Sequence, residues 1–201
     1  MKIIEKHITR RDIITYYVKY DRQKKGLPVI KNLETWPWND ANAIDKQLQS
    51  NNLKTGVLSA YCEWQLAQLD YADIADCAIV NHIFPGQPQA LGRINQSHIA
   101  KSKPNGNPEW WEPLSSGSDI PREWALILRP TVASELPAKW YIEDGSGRAL
   151  ALFQRMLVNQ ELWRTAYAYL GIIPDEGSHF IQKRPELLRN CVEKGGQAVF
   201  W

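Results

Sequence analysis

Tyr141-Ile142-Glu143-Asp144-Gly145-Ser146-Gly147-Arg148-Ala149-Leu150-Ala151-Leu152 reads as a strand that turns through two glycines into a helix. Residues 139–142 have the aromatic and β-branched content of a buried strand end, and residues 148–157 place Leu150, Phe153 and Leu157 on one helical face. The helix therefore starts within Gly145-Ser146-Gly147. A helix start leaves its first N–H groups without intrahelical partners and carries partial positive charge, so an anion there completes both. Glycine permits positive φ and lets phosphate oxygens approach the backbone. Arg148 adds a planar, permanently charged fork. Glu143 and Asp144 stand immediately before the turn as candidate catalytic carboxylates, with Asp144 also a candidate ligand for a divalent cation. The third glycine of a dinucleotide fingerprint and the lysine of a Walker loop are both missing. The competing reading is plain turn chemistry, with Asp144 or Ser146 as a cap and Arg148 a solvated first-turn residue.

This stretch resembles the signature of the ParB/sulfiredoxin fold, in which a strand ends in Asp-Gly-x-x-Arg or Gly-x-x-Arg and a helix follows. Upstream, Ile120-Pro121-Arg122-Glu123-Trp124-Ala125-Leu126-Ile127-Leu128 resembles the proline-led strand of that family, and Leu91-Gly92-Arg93-Ile94 its earlier arginine-bearing segment. The resemblance spans residues 120–157 and extends toward residue 90. It implies an α+β (mixed α/β) fold with a small sheet and helices packed after the phosphate turn. It also implies phosphate or nucleotide contacts from Gly145, Ser146, Gly147 and Arg148, joined by Arg93 and Arg122.

The departures from the family are informative. Sulfiredoxins have a cysteine at the place of Ser146 and a histidine at that of Gly147, so cysteine sulfinate reduction is not expected. Branches with Asp-Gly-His-His-Arg rely on two histidines that are missing here. Chromosome-partitioning members carry Gly-Glu-Arg-Arg and a downstream helix-turn-helix domain. The short plasmid fertility-inhibition proteins resembling Osa are similar at the turn. The resemblance thus implies binding of ATP or another nucleoside triphosphate, with hydrolysis of it or cleavage of DNA assisted by Mg²⁺ or Mn²⁺. The alternative is a non-catalytic DNA- or nucleotide-binding regulator that inhibits plasmid transfer by contacting a protein of the DNA-transfer machinery. In a third reading the pocket is a relic.

Composition bounds the rest. With 201 residues, 44% hydrophobic and 23% charged, the chain is long enough to bury one core. The net charge of +2 is unevenly spread: residues 1–31 hold nine Lys/Arg against three acids. That basic amino-terminal arm, with Arg10, Arg11, Lys24 and Lys25, is a candidate for salt-dependent contact with nucleic acid. The alternative is a solvated strand pair whose lysines guard an exposed edge. Of the nine tryptophans, Trp36, Trp38, Trp110, Trp111 and Trp124 flank Pro/Gly-rich connections, where an indole pins a loop or stacks on a base. Cys62, Cys77 and Cys191 lack Cys-x-x-Cys spacing, which predicts reduced thiols in a cytoplasmic protein. The four histidines are scattered, so a structural zinc site is not expected. Met1-Lys2-Ile3-Ile4-Glu5 runs straight into charges, unlike a signal peptide, and no apolar run approaches the ~20 residues of a membrane span.

Along the chain, the pattern predicts a strand at 12–20, a turn at Lys25-Gly26 and a helix at 39–49. A strand at 64–69 and a helix at 71–80 follow. Residues 84–120 read as a Pro/Gly/Ser/Asn-rich connection holding a short helix at 94–100, placed to act as a lid. Strands at 124–128 and 139–142 lead to the motif helix. Helices at 160–170, closed by Gly171 and Pro174, and at 185–194 complete the plan. The implied organisation is a basic strand/helix extension (1–60), a ParB/sulfiredoxin-like core (61–175) and a helical tail (176–201).

Overall fold

The structure, a computed structural model, describes residues 1–24, 26–51, 63–79, 89–101, 122–130, 138–158 and 166–172. Among these residues the elements run β1 (Lys2–Thr9), α1 (Arg10–Lys24), α2 (Ala41–Ser50), β2 (Glu63–Leu69), α3 (Tyr71–Ala75), β3 (Cys77–Ile79), β4 (Gln89–Ala90), α4 (Gln96–Lys101), β5 (Leu126–Pro130), β6 (Trp140–Asp144), α5 (Ser146–Val158) and β7 (Ala166–Ile172). The seven strands form one mixed sheet in the order β1-β2-β7-β5-β6-β3-β4. Pairing is parallel between β5 and β7 and between β3 and β6, and antiparallel elsewhere. The fold is mixed α+β.

Strand alternation divides the core into two layers. Trp64 and Leu66 of β2 face one way, against Ile13, Ile14, Tyr17 and Val18 of α1 and Ile44 and Leu48 of α2. Ala67 and Leu69 face the other way, against Ile74 of α3, Ile99 of α4 and Leu150 and Phe153 of α5. The sheet is therefore covered on both faces. No helix among the described residues is long and apolar enough to cross a membrane.

Two elements differ from the sequence expectation. Residues 12–20, expected as a strand, lie inside helix α1. Their β-branched and aromatic content is a weak preference, whereas Ile13, Ile14, Tyr17 and Val18 recur at helical spacing and are buried together. The start is set by a reciprocal cap. The Asp12 amide donates to Thr9 Oγ1 at 3.2 Å, and the Thr9 amide donates to Asp12 Oδ2 at 2.9 Å. Residues 166–170, expected at the end of a helix, belong to β7, inserted between β2 and β5. There Ala166, Ala168 and Leu170 turn to one layer and Tyr167 and Tyr169 to the other.

Smaller differences follow the same logic. The helix expected at 71–80 stops at Ala75, and the chain enters β3 at Cys77. The strand expected at 124–128 begins at Leu126, after a 3-10 turn at Arg122–Trp124. The helices expected at 39–49 and 94–100 correspond to α2 and α4. The helix expected at 185–194, Cys62, Cys191, Trp110 and Trp111 lie outside the described residues. Of the connection expected as a lid, residues 89–101 are described, and they fold as β4, a 3-10 turn and α4. The basic amino terminus is not a free arm: β1 is the edge strand beside β2, with Lys2 and Lys6 exposed. Cys77 is buried, its thiol donating to the Asp73 carbonyl at 3.2 Å, and burial pushes its pKa up.

Helix α3 also carries a capping box: the Asp73 amide donates to Asp70 Oδ1 and the Asp70 amide to Asp73 Oδ2, both at 2.9 Å. The backbone N–H of Asp73 holds the Asp70 carboxyl below its ordinary 3.8. A lowered folded pKa means that this stabilisation is complete above the unfolded value and fades as pH falls through the folded one. Asp70→Ala is expected to cost about 1 kcal/mol at neutral pH. Urea unfolding at pH 7 and pH 2 should show that difference shrinking in acid; a difference independent of pH would exclude the charged cap.

Candidate functional site

The site is built where β6 runs out and α5 begins. Gly145 joins them at φ +96°, a conformation that L side chains rarely adopt. A Cβ at this position would lie 2.6 Å from Leu126 Cδ2 and 2.7 Å from Arg148 Nη2, so a side chain here would also displace these two side-chain ends. The first helical bond runs from the Ala149 amide to the Gly145 carbonyl at 2.9 Å. Ser146 and Gly147 lead the first turn and are half-buried.

Arg148 folds back over that turn. Its Nη2 donates to Asp144 Oδ2 at 2.8 Å, and the residue is only 4% exposed. Helix α1 closes the other side: the guanidinium carbon lies 4.2 Å from the Tyr20 ring centroid. Tyr20 stacks with Tyr16 at 5.9 Å, and Tyr16 meets Tyr169 of β7 at 4.8 Å. The Tyr16 hydroxyl donates to the Ala125 carbonyl at 2.6 Å. Burial pushes the Tyr16 pKa well up, with Arg148 opposing and Asp144 assisting. For Arg148, burial works against the charge, yet Asp144, Tyr16 and Tyr20 outweigh it and raise its pKa further.

Glu143 is engaged separately. The register of β5 against β6 passes from Ile127 opposite Asp144 to Leu128 opposite Ile142, which leaves Glu143 at an irregularity in the ladder. Its carboxylate pairs with Arg129 Nε, and both side chains are buried. Arg129 lies opposite Tyr141 in the register, and its guanidinium sits 4.3 Å from that ring centroid. Two neighbouring acids are thus each held by a buried arginine.

The remaining candidates lie apart from this turn. Arg93 is exposed on a 3-10 turn (Leu91–Arg93) that packs against α3 and β3. Arg122 forms a surface pair with Glu5 of β1 at 2.6 Å. Arg10 and Arg11 open α1 beside Trp38: Arg10 Nη2 donates to the Trp38 carbonyl at 3.4 Å, and Arg11 lies 5.2 Å from the Trp38 ring centroid. Lys24 ends α1; its side chain and all of Lys25 fall outside the described residues. Among the described residues, no three His, Cys, Asp or Glu side chains group as a metal-ligand set. Glu143 and Asp144 are each engaged by a guanidinium group.

Sequence reasoning did not find Arg129, Tyr16 or Tyr20. Arg129 carried a signal, since a charge closing the apolar run Leu126-Ile127-Leu128 needs a partner once buried. The tyrosines were hidden by the strand reading of 12–20: their i, i+4 relation has meaning only on a helix. Comparisons of the chain with family models, with curated proteins and with solved structures find no match.

Proposed function

We propose that this protein is a phosphate-recognising regulator of the ParB/sulfiredoxin-like class, binding nucleotide phosphates at the start of α5 without hydrolysing them. The observation that carries the reading is the Gly145 turn at φ +96° in front of a 13-residue helix, with the Arg148 fork laid against it. An entering phosphate meets the leading amides and the positive end of the helix, and competes with Asp144 for the guanidinium. The Asp144 carboxylate serves as the internal stand-in for that anion. Hydrolysis calls for a free base or metal ligand, and the pairing of both Glu143 and Asp144 with arginines favours binding over catalysis.

Ser146→Glu tests this directly, because a carboxylate at the first helical position suits the helix dipole but repels an incoming phosphate. Calorimetry with ATP and with CTP is expected to show the variant weaker by about 1.5–3 kcal/mol, the size of a charge-assisted hydrogen bond. Unchanged affinity would remove the turn from the site. Release of inorganic phosphate by the wild type that the variant abolishes would make the protein a hydrolase instead.

A further inference from the structure

The outer face of α1 carries a second feature, which does not rest on the α5 turn. Residues 27–38 run back alongside this helix. The Leu27 amide donates to the Arg22 carbonyl at 2.9 Å and Arg22 Nε to the Pro28 carbonyl at 2.5 Å, while Arg10 and Arg11 hold Trp38 at the opposite end. Arg11 and Lys19 are exposed at positions i and i+8, with Arg22 half-exposed one turn further, a basic stripe about 16 Å long. Lys31 is a further exposed cation in the returning segment, which also exposes Leu27 and Val29, the latter 71% exposed. Asp12 and Asp40 are helix caps, and Glu34 stands exposed.

At one end of the stripe a stack leads out of the core. Trp36 is buried and stacks on half-buried Trp38 at 5.7 Å, and exposed Arg11 lies over Trp38. A planar guanidinium or indole at the surface is a platform for an unpaired base, and the cations beside it match a phosphate backbone. A paired base offers no free face to such a platform.

We infer that the outer face of α1 together with residues 27–38 is a binding surface for single-stranded nucleic acid, with the Arg11 guanidinium, held from beneath by Trp38, stacking on a base and Lys19, Arg22 and Lys31 contacting phosphates. The bound strand is held by counterion release and stacking, with little preference for sequence.

The test uses the whole chain, a fluorescein-labelled oligothymidylate of about twelve nucleotides, a duplex of equal length, and vesicles containing phosphatidylserine. The single strand is expected to bind more tightly than the duplex, to quench tryptophan fluorescence, and to weaken as salt rises. The double charge reversal Lys19→Glu/Lys31→Glu, at two exposed positions, should weaken binding at least tenfold with an unchanged thermal melt. Arg11→Ala should weaken it several-fold with the salt slope nearly unchanged, as loss of a stacking group requires, whereas Lys19→Ala should lower the slope by about 0.7. Wild-type failure to bind the oligonucleotide, equal binding by the variants, preference for the duplex, or binding to vesicles alone would each overturn the inference.

Discussion

Arg129→Met is expected to destabilise the fold by about 3–5 kcal/mol, because it leaves the Glu143 carboxylate buried without its cation. The side chains of the pair are 2% and 8% exposed, so water screens neither charge. The cation–π contact with Tyr141 is lost as well. In contrast, Arg129→Met/Glu143→Leu removes both charges and fills their space, and should recover most of the loss. Denaturant unfolding of the two singles and the double separates the coupling from the packing. If Glu143→Gln instead left stability intact and altered only nucleotide affinity, the acid would belong to a ligand site and not to an internal pair.

Asp144→Asn is expected to have an effect of similar size, about 3 kcal/mol, with a signature of its own. It removes the countercharge of the Arg148 guanidinium, which lies against Tyr20 next to the first turn of α5. An anion that binds the turn then replaces the missing carboxylate. Inorganic phosphate or ATP should therefore raise the melting temperature of the variant more than that of the wild type, since a ligand stabilises in proportion to its occupancy of the folded state. A carboxylate acting as catalyst or metal ligand gives the reverse pattern: normal stability, with turnover or metal dependence lost. Differential scanning fluorimetry across a phosphate series distinguishes the two. An equal shift in both proteins would mean that the anion and Asp144 do not compete.

These two predictions share a cause that is local in sequence for one pair and remote for the other. Asp144 and Arg148 are four residues apart across a turn, within reach of each other once the strand-to-helix junction forms, although the sequence reading assigned one to a cation and the other to a phosphate. Arg129 and Glu143 meet only because β5 lies beside β6 and their ladder shifts at Ile127. The excess of basic residues in 1–31 was legible, but its arrangement in space was hidden. Read as a strand, residues 12–20 place Lys19 on an edge; as helix α1, they align it with Arg11 and turn Tyr16 and Tyr20 inward toward Arg148.

The sequence alone determined the features whose physics is short-range. These are the glycine turn at 145, the apolar stripe of α5, the helix expected at 39–49 and the strand expected at 64–69, each specified by torsional freedom, capping or periodicity within a dozen residues. Tertiary structure alone decided the others. The alternation of alanine and tyrosine in 166–170 becomes a strand only when β2 and β5 supply hydrogen-bond partners on both sides. Glu143 becomes an internal counterion, and not an accessible acid, only when the sheet brings Arg129 to it. Burial and strand pairing join residues distant along the chain, and the free energy of a charge depends on what surrounds it after that assembly.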